Sequence, residues 1–204
     1  MTTNRRSELE EEATSLAKDR RFGVAGDTYV QASFEEAGQW FGSASWAMEL
    51  RMLFKACLCY RLADQNRQCR FAAQLGIQLA EEYAARMRER PEPTHPPDQA
   101  ERGVWHEFIG DFRLVAGLEG ATRAYDSAEK VYREVGNPNA HFAEGPIMSV
   151  QAIFSTTVLA AGENEELITK STQGKLVDWL EYKRENLPEL IDNVVSSDEW
   201  NLPE

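Results

Sequence analysis

Lysine, histidine and cysteine are all scarce in this chain, and each shortage narrows what the protein can be. Six lysines and 16 arginines face 34 carboxylates, a formal charge of −12 over 204 residues. Phosphate contacts need clustered Lys and Arg, so broad nucleic-acid binding is excluded, and an acidic surface is repelled by anionic membranes. The longest apolar patches fall far short of the ~20 residues that span a bilayer. Met1 to Arg21 is strongly charged with no apolar stretch, so no signal peptide is expected and the cytoplasm is the expected compartment. Cys57, Cys59 and Cys69 are odd in number and lie inside apolar helical segments. They read as small buried residues in a reducing compartment, not as a disulfide framework.

Signatures of chemistry are missing as well. A metal site would want Cys-x2-Cys or neighbouring histidines, and Cys-x-Cys on a helix points its thiols at different faces. No Glu-x-x-His motif stands on two helices, as a di-iron bundle requires. There is no phosphate-cradling G-x4-G-K-[ST] or G-x-G-x-x-G loop, no H-x-E deaminase signature and no calcium loop. Of the three histidines, His95 falls in a proline segment and His141 in a connection between helices. His106 shares a helix with Glu107 and Asp111, which stand at i, i+4. Adjacent His106 and Glu107 point about 100° apart, and no Ser or Cys nucleophile is placed to complete a set. The three read as a solvent-facing polar stripe. The expectation is a protein without catalytic, cofactor-binding or metal-binding residues.

What is present is helix. Ser7-x-x-Glu10 has capping-box spacing and opens a first, solvated helix through Asp19. Arg20 to Ala32 follows, carrying Phe22, Ala25, Gly26 and Tyr29. Ser33-Phe34-Glu35-Glu36 reads as a second capping box opening a partner helix, with small positions at Gly38, Gly42 and Ser45, and a boundary near Gly42 left open. Leu50 to Ala63, with Leu53, Ala56, Cys57 and Tyr60, pairs with about Asn66 to Arg88, with Cys69, Ala73 and Gly76. Residues 91–98 are proline-rich and read as an extended exposed loop; the Pro-x-x-Pro spacing there is a stiff spacer. Asp98 with Glu101 caps a helix to about Ala116, ended by Gly117, and Gly120 to Val135 is its partner. Gly145-Pro146 opens a helix through Ala161, Leu167 to Asn186 forms another, and Pro188 starts a short terminal helix ending near Val195.

Trp105, Phe108, Phe112, Ala121, Tyr125 and Ala128 describe two antiparallel helices at close range, rings of one beside small residues of the other. This spacing resembles the tetratricopeptide repeat, a 34-residue helix–turn–helix unit that stacks into a solenoid. Phe22, Ala25, Gly26 and Tyr29 repeat the first-helix skeleton with Phe in the Trp place. Ile109 stands where that family prefers Gly or Ala, so the third unit is expected to be wider or staggered. The longer helices resemble the SNAP-like branch. The resemblance covers 20–135, residues 144–197 read as C-terminal capping helices, and 1–204 as one all-α domain. The fold class is therefore all-α: antiparallel helix hairpins stacked as a TPR-like α-solenoid, with an irregular helical bundle as the alternative. Few lysines and many carboxylates also resemble proteins of salt-in halophilic archaea, and arginine richness equally follows from a GC-rich genome.

The resemblance implies a non-enzymatic adaptor or regulator that binds a peptide or helix in a concave groove. Carried over by register, groove positions fall on Arg20, Asp27 and Gln31; on Arg51, Phe54, Leu58, Arg61 and Leu62; and on His106, Arg113 and Leu114. Arginine grips carboxylates with a planar fork of donors, and the apolar members could take apolar side chains, so the implied partner is an acidic-and-apolar peptide or helix of another protein. The Lys/Asn clamp of chaperone-binding members is not reproduced. The arginines could instead pair with local carboxylates on ordinary surface. Two rival functions remain: a self-associating structural protein that dimerises through Trp40, Trp46 or Trp200, and a ligand sensor or enzyme with His106, Glu107 and Asp111 at a pocket.

Overall fold

The computed structural model describes residues 5–35, 43–89, 96–139, 146–163 and 174–197. Over these residues the chain is all-α. Its eight helices are α1 Arg5–Lys18, α2 Phe22–Phe34, α3 Ser43–Leu62, α4 Asn66–Glu89, α5 Pro96–Val115, α6 Ala121–Glu134, α7 Pro146–Ala160 and α8 Leu176–Ser197. The described residues hold no strand, only one isolated bridge between Asn139 and Lys175. None of the helices is long and apolar enough to cross a membrane.

Three hairpins share one turn. At the ends of α1, α3 and α5, residues Arg20, Asp64 and Gly117 adopt left-handed φ angles of 60°, 54° and 61°. Each N–H bonds the carbonyl three residues back, and the next N–H bonds the carbonyl five back. The pairs are Arg20 to Ala17 and Arg21 to Leu16, Asp64 to Arg61 and Gln65 to Tyr60, and Gly117 to Leu114 and Leu118 to Arg113, at 2.8 to 3.1 Å. This is the Schellman arrangement, which satisfies the last free carbonyls of a helix while reversing the chain. It sets α1 against α2, α3 against α4 and α5 against α6, and each hairpin also packs on the next.

The first hairpin corrects the sequence register. The tight-turn partner of α2 is α1, so the segment from Phe22 is a second helix and not a first. Ser33 does not open a new helix: its hydroxyl donates to the Val30 carbonyl at 2.7 Å, at the close of α2. With the boundary near Gly42 left open by the sequence, α3 starts at Ser43 and runs unbroken to Leu62; Gly38 and Gly42 lie outside the described residues. Nor is α1 solvated, because Leu9, Ala13, Leu16 and Ala17 are buried against its neighbours. Pro96 and Pro97 belong to the first turn of α5, where a missing N–H costs no helical bond. Finally, α8 continues through Pro188 as one helix. Just before that proline, Asn186 Nδ2 donates to the Tyr182 carbonyl at 2.7 Å.

Rings pressed onto glycines set the spacing between consecutive helices. A Cβ on Gly26 would lie 2.7 Å from the Tyr60 ring, on Gly76 2.3 Å from Phe112, on Gly103 2.5 Å from Tyr132 and on Gly110 2.4 Å from Tyr125. In the third unit the glycine that receives the ring is Gly110, one place beyond Ile109. The ring thus sits one residue out of the expected register.

Helix α3 is enclosed on every side along its middle and is therefore central. Met52 to Tyr60 of α3 are buried without interruption, because α3 packs on α2, α4, α5, α7 and α8. Similarly, α7 runs back across α3 and α5, and α8 lies on α3, α5, α6 and α7. The C-terminal pair thus closes over the hairpins instead of extending them.

Candidate functional site

That return takes away much of the expected groove. Phe54 and Leu58 are core residues with no exposed surface, and Phe54 meets Phe112 edge-on with ring centroids 6.1 Å apart. Arg51 Nη2 donates to Glu10 Oε1 at 3.1 Å, shared with Lys55 Nζ at 2.7 Å. Burial opposes ionisation of Glu10, but Lys55 and Arg51 outweigh it and hold its pKa below the usual carboxylate range. Arg61 donates to the Val115 carbonyl at 2.9 Å and lies 3.9 Å from Asp192 of α8. Leu114 is half-buried against the core, and Gln31 stands exposed on α2. Arg20, Asp27 and Leu62 meet at a shallow cleft of about 600 Å³ over two hairpin turns, with Arg21 and Asp64. Two arginines and two aspartates balance there, and Asp27 already accepts from Tyr60 at 2.8 Å. The carried-over positions do not form one groove. His95, His141, Trp40 and Trp200 lie outside the described residues, and Trp46 is stacked on Tyr83 with centroids 4.3 Å apart.

Glu107 and Asp111 are the larger surprise. Instead of a solvent-facing stripe they are wholly buried, with Lys183 of α8 sealed between them. Lys183 Nζ donates to Glu107 Oε1 at 2.8 Å and to Asp111 Oδ2 at 2.7 Å. Tyr132 donates to Glu107 Oε2 at 2.7 Å, Tyr125 to Asp111 Oδ1 at 2.8 Å, and Trp179 Nε1 to Glu107 Oε1 at 3.0 Å. Every carboxylate oxygen is satisfied, the condition under which such a cluster is tolerated in a core. The tyrosines reach their acids by lying across Gly103 and Gly110. Burial pushes the Asp111 carboxyl up to about 7, with Lys183 opposing and Glu107 adding to the shift. Burial also works against the Lys183 ammonium, yet the two carboxylates hold its pKa above the ordinary lysine value.

An open cleft of about 360 Å³ lies elsewhere on the same hairpin, between α4, α5 and α6. Ala84, Ile109 and Ala124 contribute apolar surface, and Glu81, His106, Arg113, Arg123 and Ser127 the polar surface. His106, Ile109 and Arg113 recur at i, i+3 and i+7, which places them along one side of α5. Arg113 Nη1 reaches the Glu119 and Gly120 carbonyls at 3.5 and 3.4 Å, both at the limit of hydrogen bonding. Neither Arg113 nor Arg123 has a carboxylate partner among the described residues, whereas Arg51, Arg61, Arg133 and Arg184 all do.

Of the expected site residues, then, the cleft unites His106 and Arg113, and sequence reasoning missed Arg123. It missed Lys183 too, although a signal was present: Lys183 interrupts the apolar stripe of Leu176, Trp179, Leu180, Leu187 and Leu190. Among the described residues no group of three or more His, Cys, Asp or Glu is arranged to hold a metal ion. No family model, no curated protein and no solved structure matches this chain.

Proposed function

We propose that this protein is a non-enzymatic interaction module that takes an acidic-and-apolar segment of another protein into the α4–α5–α6 cleft. One observation carries the reading. In a chain with 12 more carboxylates than cations, Arg113 and Arg123 border apolar surface beside one carboxylate, Glu81, and neither pairs with a carboxylate among the described residues. Arginine forks pair with carboxylates in fixed geometry, so the cleft is complementary to acidic side chains spaced around an apolar one. The buried Glu107–Lys183–Asp111 set supports the same reading from the other side. Its groups are enclosed and mutually satisfied, so they hold helices together and meet no substrate. Three buried free thiols suit a reducing cytoplasm.

Selection from a displayed library of random peptides tests this. Peptides enriched on the full-length protein should combine Asp or Glu with Leu or Phe. Arg113→Glu with Arg123→Glu should weaken them at least tenfold, ~1.4 kcal/mol, and added salt should weaken them as well. Selection of sequences without acidic residues, or binding indifferent to the double reversal, would contradict it.

A further inference from the structure

The cleft between α4, α5 and α6 carries opposite charge at its two ends. Ring contacts fix how the three helices stand beside one another. Phe112 of α5 lies on Gly76 of α4, and Tyr83 of α4 meets Trp105 of α5 with ring centroids 5.6 Å apart. On the other side, Tyr125 and Tyr132 of α6 lie on Gly110 and Gly103. Both antiparallel registers follow from these pairs. They set Glu81 level with Glu107 of α5, and Arg123 level with Phe112, beside Arg113. The two levels are roughly 8 Å apart along α5. Arg113 lengthens the span, because its guanidinium reaches past its own turn to the Glu119 and Gly120 carbonyls. Between the ends, Ile109 and Ala124 offer apolar surface. Glu81 and Arg123 are exposed and Arg113 is half-buried. Like the arginines, Glu81 pairs with no opposite charge among the described residues.

Resting on the reading of this cleft as the interaction site, we propose that its partner is an amphipathic helix with a carboxylate, an apolar side chain and an ammonium at i, i+4 and i+7. A helix laid along α5 has the same rise as α5. Its stripe spans about 10 Å and meets the arginines, Ile109 and Glu81 in turn. An extended chain turns alternate side chains away, and three on one face would span about 13 Å. A second carboxylate at the Glu81 end would face a like charge on a body already 12 charges negative. The ammonium therefore supplies discrimination more than affinity, since an exposed pair contributes little.

Two alanine-rich helical peptides of about 18 residues test the proposal by calorimetry with the full-length protein. One carries Glu, Leu and Lys at i, i+4 and i+7, and the other has Glu in place of the Lys. Wild type should favour the lysine peptide at least threefold. Glu81→Lys, a change at an exposed position, should abolish or reverse that preference. Proline at i+2 of the lysine peptide breaks its helix and should weaken binding at least threefold. Equal binding of the two peptides by wild type, a preference untouched by Glu81→Lys, or indifference to the proline would overturn the proposal and leave the cleft as an interaction site. Failure of both peptides to bind wild type would remove the cleft reading and the proposal together.

Discussion

One ammonium between two carboxylates leaves a negative charge over, and a site buried from solvent cannot hold that charge cheaply. Burial accordingly raises the Asp111 carboxyl, with Lys183 opposing and Glu107 adding to the shift. A phenol both donates and accepts, so Tyr125 serves Asp111 whether the acid is charged or neutral. The sign of the stability effect follows. The folded pKa of about 7 lies above the ordinary 3.8, so the folded state binds the extra proton between those values. The contribution is complete below about 3.8 and is lost as pH rises through about 7. Urea unfolding of wild type and Asp111→Asn at several pH values isolates it, since asparagine does not titrate. The wild-type advantage should shrink steadily from acid to neutral pH; a difference that stays flat across that window contradicts the assignment. At this scale the sequence was half legible. A lysine inside an apolar stripe is visible as a misfit, but its acids lie 72 and 76 residues away, and no local pattern links positions so distant.

Among the elements, α3 shows what periodicity reveals and what a borrowed register hides. Arg51, Phe54, Leu58 and Arg61 were expected to face a groove, yet Met52 to Tyr60 contain a single charge, Lys55, and no polar face. A helix of that kind is surrounded on all sides. Even Lys55 is nearly buried, its ammonium on Glu10 and 5.4 Å from the centre of the Tyr29 ring. Burial lowers its pKa, with Glu10 opposing. Hydrogen exchange should therefore find the amides of 52–60 protected up to the global unfolding free energy, with α8 opening earlier. Exchange from α3 at the rate of α8 would contradict the nesting. The hairpin of α5 and α6 was legible because Gly117 and Gly120 mark its turn. At the α1–α2 turn the left-handed position is held by Arg20, a residue type that rarely marks such a turn. The first hairpin was accordingly shifted by one helix.

For the molecule as a whole, hairpins joined by repeated Schellman turns are compatible with a helical repeat array, but the array is closed by its own C-terminal helices. Ring-and-glycine spacing within Trp105–Ala128 was readable because it is local. The return of α7 and α8 was not, because an apolar helix states that it is buried without stating against what. Closure leaves the cleft between α4, α5 and α6 open and covers the face of α5 and α6 that carries Glu107 and Asp111. The closure rests on Lys183 lying sealed between Glu107 and Asp111.

The lysine side-chain ammonium spectrum tests that placement most directly. Lys183 should give a slowly exchanging ammonium signal with nuclear Overhauser contacts to the Tyr132 and Trp179 rings, and Lys183→Met should remove it. A Lys183 ammonium that exchanges with water as fast as that of Lys130, whose side chain is 76% exposed, would contradict the account.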